Sequence, residues 1–153
     1  MVTVHHYRAR CSWRGSTGVG YDEYGRAHDA ESPPAEVALR LSSDPAFRGD
    51  ATLLNPEQLL VLAAASCQLL SFLAVAARAR IDVLEYDDDA EGEMDEGDPP
   101  ARINRITLRP RVVVAAGPTR ERIEHLLEVA HRECFIANSL RSEMTIEPEI
   151  ELR

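Results

Sequence analysis

The sequence predicts an α+β fold in a single domain, residues 1–153, with antiparallel sheets around a long buried helix. The predicted order of elements is βββαββαβ, and because strands and helices do not strictly alternate, a doubly wound parallel sheet is disfavoured. Residues between Leu59 and Ala77 are apolar nearly all round, which is typical of a helix inside a core. A chain of 153 residues with 44% hydrophobic content can bury one such core.

Three strands are predicted before the helix. Val2–Trp13 carries β-branched and aromatic residues in rough alternation, a Gly-rich turn follows, and Val19–Tyr24 resumes the strand pattern as a hairpin. Ala35–Leu41 is the third predicted strand. Residues 42–54 then form a long loop without periodicity, and loops of this length tend to be functional.

The central helix is predicted to begin at Asn55-Pro56-Glu57 and to reach Ala79. Asn is a common N-cap, Pro is favoured at the first helical position, and Glu in the first turn complements the helix dipole. Cys67 lies in the middle of this helix.

The second half predicts two strands, a helix and a last strand. Ile81–Tyr86 should pair antiparallel with Ile103–Ala115, and the acidic run between them, residues 87–98, is interpreted as a solvated hairpin tip without a role. Pro118-Thr119 opens an amphipathic helix, and Cys134 stands where that helix should end. Glu143–Leu152 is the last predicted strand.

Composition excludes several functions. The net charge of −9 disfavours nucleic acid as a partner, and all 17 basic residues are Arg, which excludes a lysine Schiff base. We expect no charge-free apolar run of about 20 residues and no signal peptide, hence a cytoplasmic protein without a membrane partner.

The three cysteines are too few and too scattered for a disulfide scaffold. Cys11 is expected to be a packed strand residue. Cys67 and Cys134, on the residues alone, are either small core residues or reactive thiols. His131 and Cys134 could supply two metal ligands, but no second pair exists, so neither metal nor cofactor is predicted.

Several of these residues together resemble the OsmC/Ohr family, the osmotically induced proteins and organic hydroperoxide resistance proteins. The resemblance rests on Asn55-Pro56-Glu57-Gln58-Leu59-Leu60, on Cys67 ten residues after Glu57, and on Ala130-His131-Arg132-Glu133-Cys134. Phe135 stands where the family commonly has Pro, and Leu53-Leu54 precede Asn55 where small or polar residues are usual. These departures indicate a divergent OsmC-like branch.

The resemblance implies a thiol peroxidase that needs no cofactor. Cys67 would be the peroxidatic thiolate, Cys134 the resolving cysteine, and Glu57 the carboxylate that positions an arginine, for which Arg48 is favoured over Arg26. The implied substrate is an organic hydroperoxide, reduced to its alcohol, and the reductant a small dithiol or lipoylated protein. Apolar residues that could wall the pocket are Phe47, Leu53, Leu54, Phe72 and Phe135.

The spacing of Glu57 and Cys67 bears on the assembly. Ten residues of unbroken helix rise about 15 Å, so the two side chains cannot meet within that helix. The family's arrangement is an intertwined homodimer in which Glu and Arg of one subunit approach the cysteines of the other. The alternatives are a non-enzymatic OsmC-like dimer that binds a small apolar ligand at its interface, and a purely structural dimer whose cysteines only pack.

Overall fold

The structure is a computed structural model that describes residues 2–153. The chain divides into two compact units, one ending at Leu59 and the other running from Leu60 to Arg153. The expectation of a single domain over residues 1–153 stays a prediction.

The first unit contains a small antiparallel sheet. Its strands are β1 (Arg10–Ser12), β2 (His28–Glu31) and β3 (Leu39–Leu41), in that spatial order. Leu54 forms a parallel bridge to Leu41 and brings the following loop back along β3. The third predicted strand is confirmed over its last residues, Leu39–Leu41. The first strand is much shorter than the alternation of its residues predicted.

The predicted second strand, Val19–Tyr24, is wrong. Thr17–Val19 is a turn of 3-10 helix, and the strand that pairs with β1 begins at His28. The aromatic residues of this stretch stack on one another instead of pairing in a sheet: the Tyr24 ring meets the Trp13 ring edge on, at 6.1 Å between centroids. The Trp13 indole also donates to the Gly25 carbonyl at 2.7 Å and closes the turn.

Helix α1 (Pro56–Arg78) has the predicted boundaries to within a residue or so. The Asn55 side chain accepts from the Gln58 N–H at 2.8 Å, and the Gln58 side chain accepts from the Asn55 N–H at 3.0 Å. This reciprocal capping satisfies two backbone donors that the first turn leaves without helical partners.

The prediction that α1 is buried all round is wrong for the single chain. Only 28% of its most apolar 18-residue stretch is buried, and Leu62 and Leu70 are 58% and 62% exposed. The expectation that every apolar run of about 20 residues is interrupted by a charged residue is also wrong, because α1 is long and apolar enough to cross a membrane. Core helices of soluble proteins meet the same criterion, and one face of α1 does enter the core, as described below.

The second unit holds two three-stranded sheets and a second helix. Its elements are β4 (Val83–Asp88), β5 (Glu91–Met94), β6 (Ile103–Leu108), β7 (Pro110–Val114), α2 (Arg120–Glu133), β8 (Glu143–Ile146) and β9 (Glu149–Leu152). The sheets have the orders β4-β7-β9 and β5-β6-β8. The expected antiparallel pairing is found for β4 with β7. The unpredicted strand β5 pairs antiparallel with β6, while β6 with β8 and β7 with β9 are parallel.

The predicted order βββαββαβ is thus too short, since the structure reads βββαββββαββ. Both of the long strands predicted here divide in two: one at Arg109, before Pro110, and the other at Glu147-Pro148. A proline has no N–H for a ladder, and at each division the chain passes from one sheet to the other. The acidic run is likewise no simple hairpin tip, because β5 forms within it and belongs to a different sheet from β4.

The second unit is held by two apolar clusters. The larger joins α1, α2, β7 and β9, and its buried members include Phe72, Val75, Val112, Val114, Ile123, Leu127 and Ile150. The smaller surrounds Ala64, Ile106 and Leu108, with Ile136 and Leu140 packed against it. The two clusters fix one face of α1 against the end of α2 and the turn that follows it.

Candidate active site

The structure brings Cys67 and Cys134 together. Cys67 lies in the middle of α1 and is partly exposed, whereas Cys134 is the first residue after α2 and is fully buried. Both thiols are free, and each is among the neighbours that shift the pKa of the other, so the two side chains are adjacent. Cys11, by contrast, is exposed on β1, so the expectation that it packs is wrong.

The position of Cys134 follows from how α2 begins and ends. The Thr119 hydroxyl oxygen accepts from the Arg122 N–H at 3.2 Å and caps the start. At the other end, Cys134 has extended backbone angles, and its N–H donates to the His131 carbonyl at 3.2 Å. The chain then turns sharply, so that the Ala137 N–H reaches back to the Cys134 sulfur at 3.4 Å.

A buried amide fixes α1 beside α2 at this point. Gln68 follows Cys67 directly, is fully buried, and donates from Nε2 to the Leu127 carbonyl at 3.2 Å. Its Oε1 has no hydrogen-bond partner among the residues described. Leu127 lies within α2 and Cys134 caps its end, so this hydrogen bond fixes the position of Cys134 relative to Cys67.

The surroundings of Cys67 favour its thiolate. Burial acts to raise the pKa of Cys67, but the backbone N–H of Ile136, the Cys134 thiol, the backbone N–H of Phe135 and the Ser71 hydroxyl together lower it below the ordinary value for cysteine. Hydrogen bonds stabilise an anion more than a neutral thiol, which explains the direction.

The pKa values of the two thiols are shifted in opposite directions. Burial raises the pKa of Cys134 to about 11, and the hydrogen bond and charge of Cys67 add to the increase, against the N–H groups of Ala137 and Ile136. Of the two thiols, Cys67 is therefore the one that ionises more readily, and Cys134 is the one that keeps its proton at neutral pH. Tyr86 also lies near Cys134, and its own pKa is raised by burial and by the charges of Asp88 and Cys134.

The other predicted site residues lie in the first unit and its junction with α1. Glu57 is half-buried in the first turn of α1, ten residues before Cys67 on the same continuous helix. Arg48 forms an exposed ion pair with Asp22 at 2.9 Å. Within residues 2–153 no ion pair joins Arg48 to Glu57, so the expected carboxylate–arginine pair is not assembled inside the single chain.

Arg48 nevertheless has an unusual backbone. Its φ of 67° lies in the left-handed region, which residues other than glycine rarely adopt. The loop around it is tightly bonded: the Ser43 hydroxyl donates to the Phe47 carbonyl at 3.1 Å, and the Gly49 N–H to the Asp44 carbonyl at 3.0 Å. A Cβ at Gly49 would overlap the Ser43 carbonyl, so glycine is required there.

Arg26 has a local structural role. Its guanidinium stacks on the Tyr24 ring at 3.7 Å and on the Tyr21 ring at 4.8 Å, and it donates to the carbonyl oxygens of both tyrosines. These contacts use the face and two of the nitrogens of the guanidinium. Arg26 is therefore occupied in closing its own turn.

Two further features of the site were not predicted. Ser71 is one helical turn after Cys67, and helical spacing alone could have identified it as a neighbour. The effect of the Phe135 and Ile136 backbone on the pKa of Cys67 leaves no signal in the sequence, since it depends on the turn after α2. Among the residues described, no group of three or more His, Cys, Asp or Glu side chains could hold a metal ion.

Of the apolar residues expected to wall a pocket, Phe72 is a core residue packed against Tyr86, with 5.8 Å between ring centroids. Phe135 is 80% exposed beside the cysteine pair, and Phe47 and Leu54 are partly exposed in the first unit. The pocket-lining role stays a prediction for those three and for Leu53.

The profile of OsmC-like proteins matches residues 49–149 of this chain. The chain belongs to the OsmC-like family. The matched segment covers two thirds of the sequence and includes Glu57, Cys67 and Cys134. The family contains organic hydroperoxide resistance proteins, as the names of some solved members state.

Comparison with individual members supports the same fold. An OsmC-like protein of unknown function from Vibrio cholerae is 28% identical, with a TM-score of 0.86 over 95% of this chain and 99% of the other. The organic hydroperoxide resistance protein OhrB of Bacillus subtilis is 24% identical, with a TM-score of 0.61 over 94% and 98% of the two chains. The uncharacterized protein YmaD of Bacillus subtilis is 23% identical over 97% of this chain and 95% of its own length.

Proposed function

We propose that this OsmC-like protein is a cytoplasmic thiol-dependent peroxidase that reduces organic hydroperoxides to alcohols. The observation that carries the proposal is the contact between Cys67 and Cys134, with the pKa of one thiol lowered and that of the other raised. Two thiols with these properties supply a nucleophile and a resolving partner, which is the minimum for peroxide reduction without a cofactor.

The first step is the attack of the Cys67 thiolate on the terminal oxygen of the hydroperoxide. The O–O bond breaks, Cys67 becomes a sulfenic acid, and the departing alkoxide takes a proton to leave as the alcohol. In the second step Cys134 attacks the Cys67 sulfur and forms a disulfide, and the released hydroxide takes the Cys134 proton to give water. An external dithiol, either a small molecule or a lipoylated protein, then reduces the disulfide and restores both thiols.

The active assembly that we propose is an intertwined homodimer. Support comes from α1, where Ala63, Ser66, Leu70, Leu73 and Ala77 recur at alternating spacings of three and four residues and are all exposed in the single chain. Such spacing forms a continuous apolar stripe suited to packing against a second helix. A partner subunit would also answer why Glu57 stands about 15 Å along the helix from Cys67.

In this assembly Glu57 and an arginine of one subunit serve the cysteines of the other. Arg48 is the better candidate, because its exposed ion pair with Asp22 is of the kind that contributes little and can be exchanged. Arg26 is held by its two tyrosines. Strained backbone such as that of Arg48 tends to be retained at functional positions.

Consumption of tert-butyl and cumene hydroperoxide, with dihydrolipoamide or dithiothreitol as reductant, tests the proposal. The wild type should turn over many equivalents of hydroperoxide, Cys67→Ser should lose all activity, and Cys134→Ser should accumulate a sulfenic acid that dimedone traps. Cys11→Ser is the matched control, since Cys11 is an exposed thiol outside the pair, and it should behave as the wild type. Binding of apolar molecules without any turnover would instead favour the ligand-binding alternative.

A further inference from the structure

The two sulfurs of the cysteine pair differ in how far they can be reached from outside. Cys134 has no exposed surface, whereas Cys67 on α1 is partly exposed in the single chain. A disulfide between them would therefore have one accessible sulfur and one enclosed sulfur. The rate of thiol–disulfide exchange depends on which sulfur the incoming thiolate can reach, so the difference bears on how the proposed disulfide is reduced.

Cys134 is enclosed by the turn that follows α2. The Ala137 N–H donates to the Cys134 sulfur at 3.4 Å, and the Asn138 N–H donates to the Cys134 carbonyl at 3.0 Å. The Asn138 side chain also donates to the Arg132 carbonyl at 3.0 Å, which joins the turn to the last residues of α2. These three hydrogen bonds hold the turn against the Cys134 sulfur.

The same turn is anchored to itself and to the core. The Ser139 hydroxyl donates to the Phe135 carbonyl at 2.7 Å, and the side chains of Ile136 and Leu140 pack against the cluster around Ala64 of α1. A thiol that approaches Cys134 from this side can reach its sulfur only after the turn detaches from these contacts.

We propose that the external dithiol attacks the sulfur of Cys67 and that Cys134 is the leaving sulfur. The inference deepens the proposed function, because it rests on the Cys67–Cys134 disulfide formed there. The reductant thiolate bonds to the Cys67 sulfur as the S–S bond breaks, and the electron pair of that bond leaves with Cys134, which then takes a proton from water. The second thiolate of the reductant next attacks the reductant sulfur bound to Cys67 and releases Cys67 as a thiolate. Hydroperoxide and reductant thus react in turn at one sulfur.

The Ala137 N–H is positioned to stabilise the leaving sulfur. It donates to the Cys134 sulfur in the reduced protein, and a hydrogen bond from an N–H to an anion is stronger than one to a neutral thiol. Because this donor is already in position, the charge that develops on Cys134 meets it without a rearrangement of the turn.

Two effects act on the choice of sulfur in opposite directions. Burial raises the pKa of Cys134 to about 11, so its thiolate is more basic than that of an ordinary cysteine, and its departure is slowed by about tenfold. Attack at Cys134 would instead require local opening of a packed region. Such opening costs a large part of the free energy of unfolding and slows the reaction by far more than tenfold. Access therefore decides in favour of Cys67.

Trapping of the mixed disulfide tests the proposal. The experiment uses full-length Cys11→Ser protein, because the exposed Cys11 thiol would otherwise exchange with the adducts. Diamide forms the Cys67–Cys134 disulfide without hydroperoxide, and 2-mercaptoethanol, a monothiol, then opens it. The reaction is stopped with acid at early times, free thiols are alkylated with N-ethylmaleimide in denaturant, and trypsin without reductant yields Cys67 in residues 49–78 and Cys134 in residues 133–141.

Mercaptoethanol should be found on the peptide of residues 49–78 and N-ethylmaleimide on that of residues 133–141, in excess of the reverse pattern by about tenfold or more. The control is the same disulfide opened in guanidinium chloride, where the two patterns should become nearly equal because the turn no longer encloses Cys134. Mercaptoethanol mainly on Cys134, or the same ratio in folded and unfolded protein, would overturn the proposal. So would failure of diamide to link the two cysteines.

The outcome does not depend on peroxidase activity, because diamide replaces the hydroperoxide. A protein that forms its adduct at Cys67 but does not turn over cumene hydroperoxide would refute the proposed function and support the assignment of the attacked sulfur. A peroxidase that forms its adduct at Cys134 would refute that assignment alone.

Discussion

Cys134, which caps the end of α2, lies beside Cys67 of α1, and each residue alters the ionisation of the other. The Cys134 thiol helps to lower the pKa of Cys67, and the hydrogen bond and charge of Cys67 help to raise that of Cys134. Two adjacent thiols of this kind lose their protons one after the other. In the proposed reaction this sets an order, because Cys134 stays protonated while Cys67 is a thiolate.

Removal of the Cys67 sulfur should lower the pKa of Cys134. In Cys67→Ala the contribution of the neighbour is gone, so the pKa should fall below the value of about 11, but burial is the largest cause and keeps it above that of an ordinary cysteine. The sign follows directly: Cys134 should become alkylatable at lower pH in Cys67→Ala than in the wild type. The pKa of Cys134 is measured by following its alkylation against pH, with mass spectrometry of the tryptic peptide of residues 133–141 as the readout. An unchanged or higher pKa would contradict the coupling.

A dimer built on α1 should be sensitive to charge on its exposed stripe. Leu70 is 62% exposed, so Leu70→Asp should affect the single chain little, yet it would place an unpaired carboxylate in an apolar interface between two helices. We expect loss of the dimer in sedimentation velocity, or loss of folded protein if the subunits cannot fold alone.

The control for the stripe is Leu84→Asp, since Leu84 is 49% exposed on β4 and lies outside α1. This variant should sediment as the wild type. A monomeric wild type, or a Leu70→Asp protein that remains a dimer as stable as Leu84→Asp, would be inconsistent with the proposed assembly.

How far the sequence predicted the structure depended on the range of the interactions involved. The start of α1 was predictable because the Asn55 and Gln58 side chains cap their own helix turn, and the end of α2 because Cys134 follows a clear amphipathic pattern. The stretch Val19–Tyr24 was mistaken for a strand because its aromatic residues are typical of sheets, and only their packing with Trp13 and Arg26 shows otherwise.

The site shows the same limit. A resemblance to known proteins indicated both cysteines, but sequence spacing could not reveal that the backbone of residues 135 and 136 helps to lower the pKa of Cys67 on α1. Nor could it reveal the division of the long strands, where Pro110 and Pro148 each begin a passage into a second sheet. These features depend on tertiary contacts between residues far apart in the chain.

Substitution of Arg48 should impair turnover without unfolding the protein. Arg48→Ala removes the guanidinium proposed to serve the cysteines of the other subunit, and we expect kcat/KM for cumene hydroperoxide to fall by about 100-fold, the effect of losing one preorganised donor. Arg48→Lys should recover only part of it, because lysine keeps the charge and loses the planar fork.

Two controls separate Arg48 from its neighbours. Asp22→Asn breaks the exposed ion pair and should leave kcat/KM close to the wild type, since such pairs contribute little. Arg26→Ala should lower the thermal unfolding temperature through loss of its stacking on Tyr21 and Tyr24. A folded Arg26→Ala protein without turnover, beside an active Arg48→Ala, would reverse the assignment.

The packing of the Phe72 and Tyr86 rings, and not the Tyr86 hydroxyl, should stabilise the core next to Cys134. The Tyr86 hydroxyl is buried and has no hydrogen-bond partner among residues 2–153, while its ring lies 5.8 Å from that of Phe72. Burying a hydroxyl without a partner costs about 1–3 kcal/mol, so Tyr86→Phe should be as stable as the wild type or more stable.

Phe72 is fully buried, and Phe72→Ala should lose about 3–5 kcal/mol by leaving a cavity. Urea unfolding of the reduced proteins measures both changes. A Tyr86→Phe protein destabilised by as much as Phe72→Ala would mean that the hydroxyl makes an essential bond in the assembled protein, most directly to a group supplied by a second subunit.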